Sequence, residues 1–200
     1  VLNQPEDKVV RNLAVLQGDT LAKHMRRLDA RVRSLHDMTN QRVASSVAQA
    51  NDLIVEIGKL NMQVVATERG GTIASDAVGL RDQRDVAIEK LSRLLNVQVT
   101  EQTSGAVNVY VAGDYLVFDG KTQAINVVPE MDAGMPSVEL RLAESNGLLR
   151  ASSGEIAGLL AARDDVLSGF LSDLDGFADT LIFEFNKIHT SGQGLAGYTN

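Results

Sequence analysis

The chain has 200 residues, of which 44% are hydrophobic and 22% charged. That bounds it to one large folded domain or two small ones and excludes a disordered chain. A net charge of −7 argues against general nucleic-acid binding, zero cysteines exclude disulfides and thiolate metal sites, and no apolar run reaches the roughly 18 residues of a membrane span.

Aromatic residues make up 4% of the chain, with no Trp. A core of Leu, Val, Ala and Ile suits slender helix packing better than a deep ligand pocket. Val1 to Gln17 opens extended around Pro5 and then shows a short helical pattern at Val9, Leu13 and Leu16. Glu6 and Asp7 stand where first-turn acids favour the helix dipole. Gly18 is expected to kink or separate this piece from the longer helical stretch after it, at a cost near 1 kcal/mol in a helix interior.

The stretch Asp19 to Glu68 organises the chain. It contains no proline, and its only glycine is Gly58. Apolar residues fall at Leu21, Met25, Leu28, Val32 and Leu35, then at Val43, Val47, Ala50, Ile54, Ile57, Leu60 and Val64. Steps of four and three set one stripe along an amphipathic helix, with a slip where Thr39 takes the seam position. A helix of ~50 residues would run about 75 Å at 1.5 Å per residue. Such a helix draws most of its stability from the face it buries, so partners must lie along it. A core helix of a folded enzyme is the alternative, but few are this long. Gly70 and Gly71 are expected to end it.

A second helix is expected from about Ala77 to Leu95, with Asp76 as N-cap and Gly79 where a capping box would need Glu or Gln. Leu80, Ala87, Ile88, Leu91, Leu94 and Leu95 form its buried face. Arg81 with Asp85, and Glu89 with Arg93, are spaced to pair on its surface. From Val97 the apolar period changes to two. The turn pairs Ser104-Gly105, Gly113-Asp114, Asp119-Gly120 and Asn146-Gly147 then punctuate a small antiparallel sheet of about five or six strands, ending near Arg150.

The chain returns to helix from about Gly154 to His189, with Ser152 or Ser153 as cap. Ile156, Leu160, Leu167, Leu171, Leu174, Ala178, Leu181, Phe185 and Ile188 keep the four-three rhythm. Leu159, Val166, Phe170 and Phe177 widen the stripe, so this helix is expected to touch both the long helix and the second one. Asp19 to Arg42 carries six basic and three acidic residues, whereas Ala151 to Asn200 carries seven acidic residues against Arg163 and Lys187. Opposite charge would favour one alignment of these helices, although each exposed pair is worth only about 0–1 kcal/mol.

Gly192 to Gly197 matches a dinucleotide-binding glycine fingerprint letter for letter. It follows a helix rather than a strand, with only Tyr198, Thr199 and Asn200 beyond it, so it reads as a helix-terminating turn. Asp82, Asp85 and Glu89 sit beside Arg81, Arg84 and Arg93, which favours ionised surface pairs over a raised carboxylate pKa. His24, His36 and His189 are too scattered for a metal motif. No catalytic, cofactor or metal residue is therefore assigned, and the chain is expected not to be an enzyme.

The run Leu80-Arg81-Asp82-Gln83-Arg84-Asp85, with Leu91-Ser92-Arg93-Leu94-Leu95, Val97, Val99 and Gly105-Ala106-Val107-Asn108-Val109, resembles the flagellar hook-associated protein 1 family of hook–filament junction proteins. A second block agrees: Gly154-Glu155-Ile156-Ala157-Gly158-Leu159-Leu160, Arg163-Asp164, Leu167, Leu174, Phe185-Asn186, His189, Gly192 and Gly194 to Gly197. The resemblance implies a bacterial axial protein, exported by the flagellar type III apparatus to the cell exterior. It implies packing as a ring with neighbouring copies of itself between hook and filament. Partners implied with it are the hook protein, the second junction protein and an export chaperone, with no nucleic acid, membrane or cofactor.

The chain lacks an initiator Met and the terminal heptad segments of that family, so it is expected to be a middle fragment. Its short outer β region leaves open both a larger outer domain beyond Asn200 and none.

The expected fold is mainly α with a β insertion (α+β): an elongated bundle of long helices with a small antiparallel β domain. The segments are 1–96 (helical), 97–150 (β domain) and 151–200 (returning helix and turn). Leu28, Leu35, Ile54, Ile57, Leu91, Leu95, Leu167, Leu174 and Phe185 are the residues assigned to helix packing. The function this implies is structural, at the hook–filament junction. The alternative is a soluble helical adaptor or sensor module that binds a partner through its rod.

Overall fold

The structure is a computed structural model that describes residues 7–69, 74–132 and 134–191. Helix α1 (Lys8–Arg69) is a single element of 62 residues. It passes through Gly18 without the expected break. Propagating a helix adds a hydrogen bond per residue while restarting one needs a costly nucleus, so one glycine does not divide it.

Helix α2 (Ala74–Leu94) comes next. It begins before Asp76, which therefore lies inside the first turn rather than at the cap. Six strands succeed it: β1 (Val97–Glu101), β2 (Val107–Val111), β3 (Asp114–Phe118), β4 (Lys121–Thr122), β5 (Ile125–Asp132) and β6 (Met135–Leu142). They form two sheets where one was expected. The first is an antiparallel meander in the order β1-β2-β3-β4, and the second is the β5–β6 hairpin. The β2–β3 turn centres on Ala112 and Gly113, one residue earlier than expected, and both take positive φ.

The returning helix is not uniform. It runs as α3 (Glu155–Ala161), a π-helical segment (Ala162–Leu167) and α4 (Ser168–Ser191). Its N-cap is Gly154 at φ 91°, with no side-chain cap, in place of Ser152 or Ser153. A Cβ on Gly154 would lie 2.6 Å from the Leu94 carbonyl oxygen, so the close approach to the end of α2 demands glycine.

By packing, the described chain divides into two units. One is Val1–His36 with Asp164–Asn200, and the other is Asp37–Arg163. The second unit holds the core: Val43, Val47, Ile54 and Ile57 of α1, Leu91 and Leu95 of α2, Val109, Leu116, Leu140 and Leu142 of the strands, and Ile156 of α3. In it α3 touches both expected neighbours, through Glu155 to Arg42 and Ser46 of α1 and through Gly154 to α2. Helix α4 belongs to the other unit, while α2 lies wholly in the unit with the core. Among the described residues of the α4 unit, only Val32, His36 and Leu171 are buried.

Candidate functional site

Three asparagines of α1 fasten the strands to the helix. The Asn61 side chain, 1% exposed, donates from Nδ2 to the Val107 carbonyl at 2.7 Å and accepts the Val107 N–H at 3.0 Å. Asn51 makes the same pair with Ile125, at 2.9 and 2.8 Å. Asn40 donates to the Pro136 carbonyl at 2.8 Å. A primary amide has the donor–acceptor geometry of a peptide group, so Asn51 and Asn61 each act as a one-residue neighbouring strand.

The pairing explains where the sheets stop. β3 pairs with β2 only at Val109–Val111, which leaves Val107 for Asn61. Asn51 takes the N–H and carbonyl of Ile125 at the start of β5, beside its pairing with Leu142 of β6. These amides lie beside the apolar stripe, and nothing in a search for apolar periodicity selects them. Their signal is a residue poor in helix propensity placed where the helix face is buried, as Asn61 is between Leu60 and Val64.

Two arginines complete the fastening. Arg84 of α2, which is buried, donates from Nη1 to Asn61 Oδ1 at 3.2 Å and to the Gly105 carbonyl at 2.7 Å. Burial pushes its pKa down, while Asp85, 3.8 Å away, opposes that shift. Arg163 of the π segment donates to Asn40 Oδ1 at 2.9 Å and to the Val138 carbonyl at 3.0 Å. Gly58 serves close approach as well: a Cβ there would lie 2.5 Å from Thr122 Cγ2, so α1 carries glycine where β4 crosses it.

Exposed ion pairs are partly as expected. Glu89 and Arg93 pair at 2.6 Å. Arg81 reaches Glu68 of α1 at 2.6 Å and Glu101 of β1 at 3.1 Å, instead of pairing along its own helix with Asp85. The hydrogen bond from Arg42, followed by that from Ser46, holds the Glu155 carboxyl below the usual carboxylate range.

Of the residues assigned to helix packing, Ile54, Ile57, Leu91 and Leu95 are buried in the core unit. Leu167 and Leu174 are half-buried. Leu28, Leu35 and Phe185 are 46%, 42% and 67% exposed, so this chain alone does not enclose them. Phe177, Ile182, Phe183 and Ile188 are also exposed along α4. Between the helices of that unit lies an open apolar groove of about 540 Å³, lined by residues such as Leu21, Met25, Leu181 and Phe185. Asp82, Asp85, Glu89, His24 and His189 are exposed and His36 is buried. Among the described residues no three His, Cys, Asp or Glu side chains cluster as a metal site, and no helix is long and apolar enough to cross a membrane. The glycine run at 192–197 lies outside the described residues.

Sheets fastened to one long helix by asparagine amides, together with helices whose apolar faces stay open, define an α+β helical packing module. The family model of the flagellar hook-associated protein FlgK helical domain matches residues 1–200, and the chain belongs to that family. It is 26% identical to flagellar hook-associated protein 1 of Salmonella typhimurium, over 98% of this chain and 36% of that protein. It is 22% identical to the Bacillus subtilis protein of the same name, over 98% of this chain and 43% of that one. The structure of the flagellar hook junction protein FlgK from Burkholderia pseudomallei superposes with a TM-score of 0.68 at 27% identity, covering 82% of this chain and 30% of its own. This chain therefore spans well under half the length of the curated relatives it matches.

Proposed function

We propose that this chain is part of a structural subunit of the bacterial flagellum that joins hook to filament by subunit packing, with no reaction of its own. The observation that carries the reading is the match to the FlgK helical domain along residues 1–200. The exposed apolar faces of α1 and α4 support it, because a subunit of a polymer keeps such faces for packing within the whole protein and its assembly. Leu28, Leu35, Leu167, Leu174 and Phe185 would contribute to that packing, and Ile54, Ile57, Leu91 and Leu95 would keep the core unit folded for it. Neighbouring copies, the hook protein and the second junction protein are the partners proposed, with export through the flagellar type III apparatus, assisted by a chaperone, to the cell exterior. Deleting the gene should leave hooks without filaments and abolish swimming, and the intact gene should restore both. Normal filaments on the deletion strain would overturn the junction role in favour of a helical adaptor.

A further inference from the structure

The turn after β6 places an uncommon chemistry on the surface. Asn146 is exposed, takes φ 53° and is followed by Gly147. Its side-chain amide has no hydrogen-bond partner among the described residues, so Cγ is open to attack. Glycine at the next position removes the side chain that would shield the attacking backbone nitrogen. The Gly147 N–H donates to Ser145 Oγ at 3.2 Å, so a hydroxyl already sits on the proton that must leave.

We propose that Asn146–Gly147 is a modification site at which the chain deamidates itself. The Gly147 nitrogen bonds to Asn146 Cγ, the Cγ–Nδ2 bond breaks, and ammonia departs carrying the proton lost from Gly147. The five-membered imide then takes up one water. Addition at Cγ gives aspartate, and addition at the main-chain carbonyl carbon gives isoaspartate; nothing is oxidised or reduced. Arg141 donates from Nη1 to that main-chain carbonyl at 3.1 Å. The guanidinium polarises it toward water and directs opening to isoaspartate.

The modification has a structural consequence. Isoaspartate routes the main chain through an added methylene between Leu142 and Leu149. The Asn146 N–H to Leu142 carbonyl bond (2.9 Å) and the Leu142 N–H to Gly147 carbonyl bond (3.0 Å) close this loop. Both lose register, and the Leu149 N–H, bonded at 2.8 Å to Leu140 and carrying a buried side chain, is released with them.

The purified protein, aged in mildly alkaline buffer at physiological temperature, should accumulate aspartate and isoaspartate at Asn146, with isoaspartate in excess. Peptide mass mapping and isoaspartyl methyltransferase labelling read this. Conversion should run several-fold ahead of that at exposed Asn126, whose next residue, Val127, is β-branched. Asn146→Gly keeps the turn, since glycine accepts its φ, and should abolish the signal. Gly147→Ala, which adds a Cβ 3.1 Å from Ser145 Oγ at a position without positive φ, should suppress it severalfold with the thermal midpoint unchanged. Hydrogen exchange at Leu149 should accelerate in the aged protein and not in aged Asn146→Gly. Conversion at Asn146 no faster than at Asn126, or undiminished in Gly147→Ala, would overturn the assignment. Aspartate in excess would overturn the part given to Arg141, and unchanged Leu149 exchange the structural consequence.

Discussion

Asn61 satisfies both backbone groups of Val107 and shares its carbonyl oxygen with Arg84. Asn61→Ala strands those groups in the core, and a buried group left unpaired costs about 1–3 kcal/mol. Urea denaturation should show a loss of at least that size, whereas exposed Gln63→Ala should shift stability by roughly 0.5 kcal/mol or less. Leu91, fully buried, should lose about 2–5 kcal/mol on truncation to Ala. Leu174, half-buried in this chain, should lose only about 1 kcal/mol when measured without partners. Glu155 sets an acid limit. Its carboxyl pKa is lower folded than unfolded, so the unfolded state binds more protons, and the stabilisation is complete above the ordinary glutamate pKa. It is lost as pH falls through the depressed folded value. Stability of Glu155→Gln should therefore fall less steeply than wild type across that window in acid denaturation.

At the scale of elements, apolar spacing carries helix and strand identity because burial imposes it. The stripe from Val43 to Val64 lies where its period puts it, and Val107, Val109, Val111, Leu116, Leu140 and Leu142 are buried as alternation asks, but Val117 is buried as well and Phe118 is exposed. What the spacing misses is decided by polar groups and close contacts. Asn51 holds the backbone of Ile125 at the start of the second sheet, Arg81 turns from Asp85 to Glu68, and Gly154 replaces a serine cap because of Leu94. The packing residues divide on the same line. Ile54 and Leu91 face a partner inside the chain, whereas Leu28 and Phe185 keep the helical rhythm and stay 46% and 67% exposed. Gly18 reads as a boundary by residue type, yet helix on both sides carries it through. A Cβ at Gly18 would meet nothing within 4 Å. Gly18→Ala should thus raise the stability of the surrounding helix by about 1 kcal/mol, seen as increased thermal persistence of the helical circular dichroism signal.

For the whole molecule, stability and assembly are expected to separate by unit. Phe177 and Phe185 are 54% and 67% exposed. Replacing both with Asp should change unfolding of this chain by roughly 0.5 kcal/mol or less per site. On the proposed junction role, the same pair in the full-length protein should reduce incorporation into hook–filament junctions, visible as filament-less hooks by electron microscopy and as lost swimming. Equal losses of stability and assembly would mean these rings serve the fold of the subunit and not its packing in the flagellum.

Asn40, Asn51 and Asn61 work as a ruler. At about 100° per residue they fall within an arc of about 80° on α1, and the outer two stand about 32 Å apart along its axis. The ruler tolerates changes of letter between its marks far better than changes of count. One residue inserted between Asn51 and Asn61 would rotate one amide by about 100° relative to the other and advance it by about 1.5 Å. Val107 and Ile125 could not then both be held. Sequences at 22–27% identity to this one can differ at most positions of the helix. Gaps, however, should be excluded from the interval 40–61 and collect in the connections between strands.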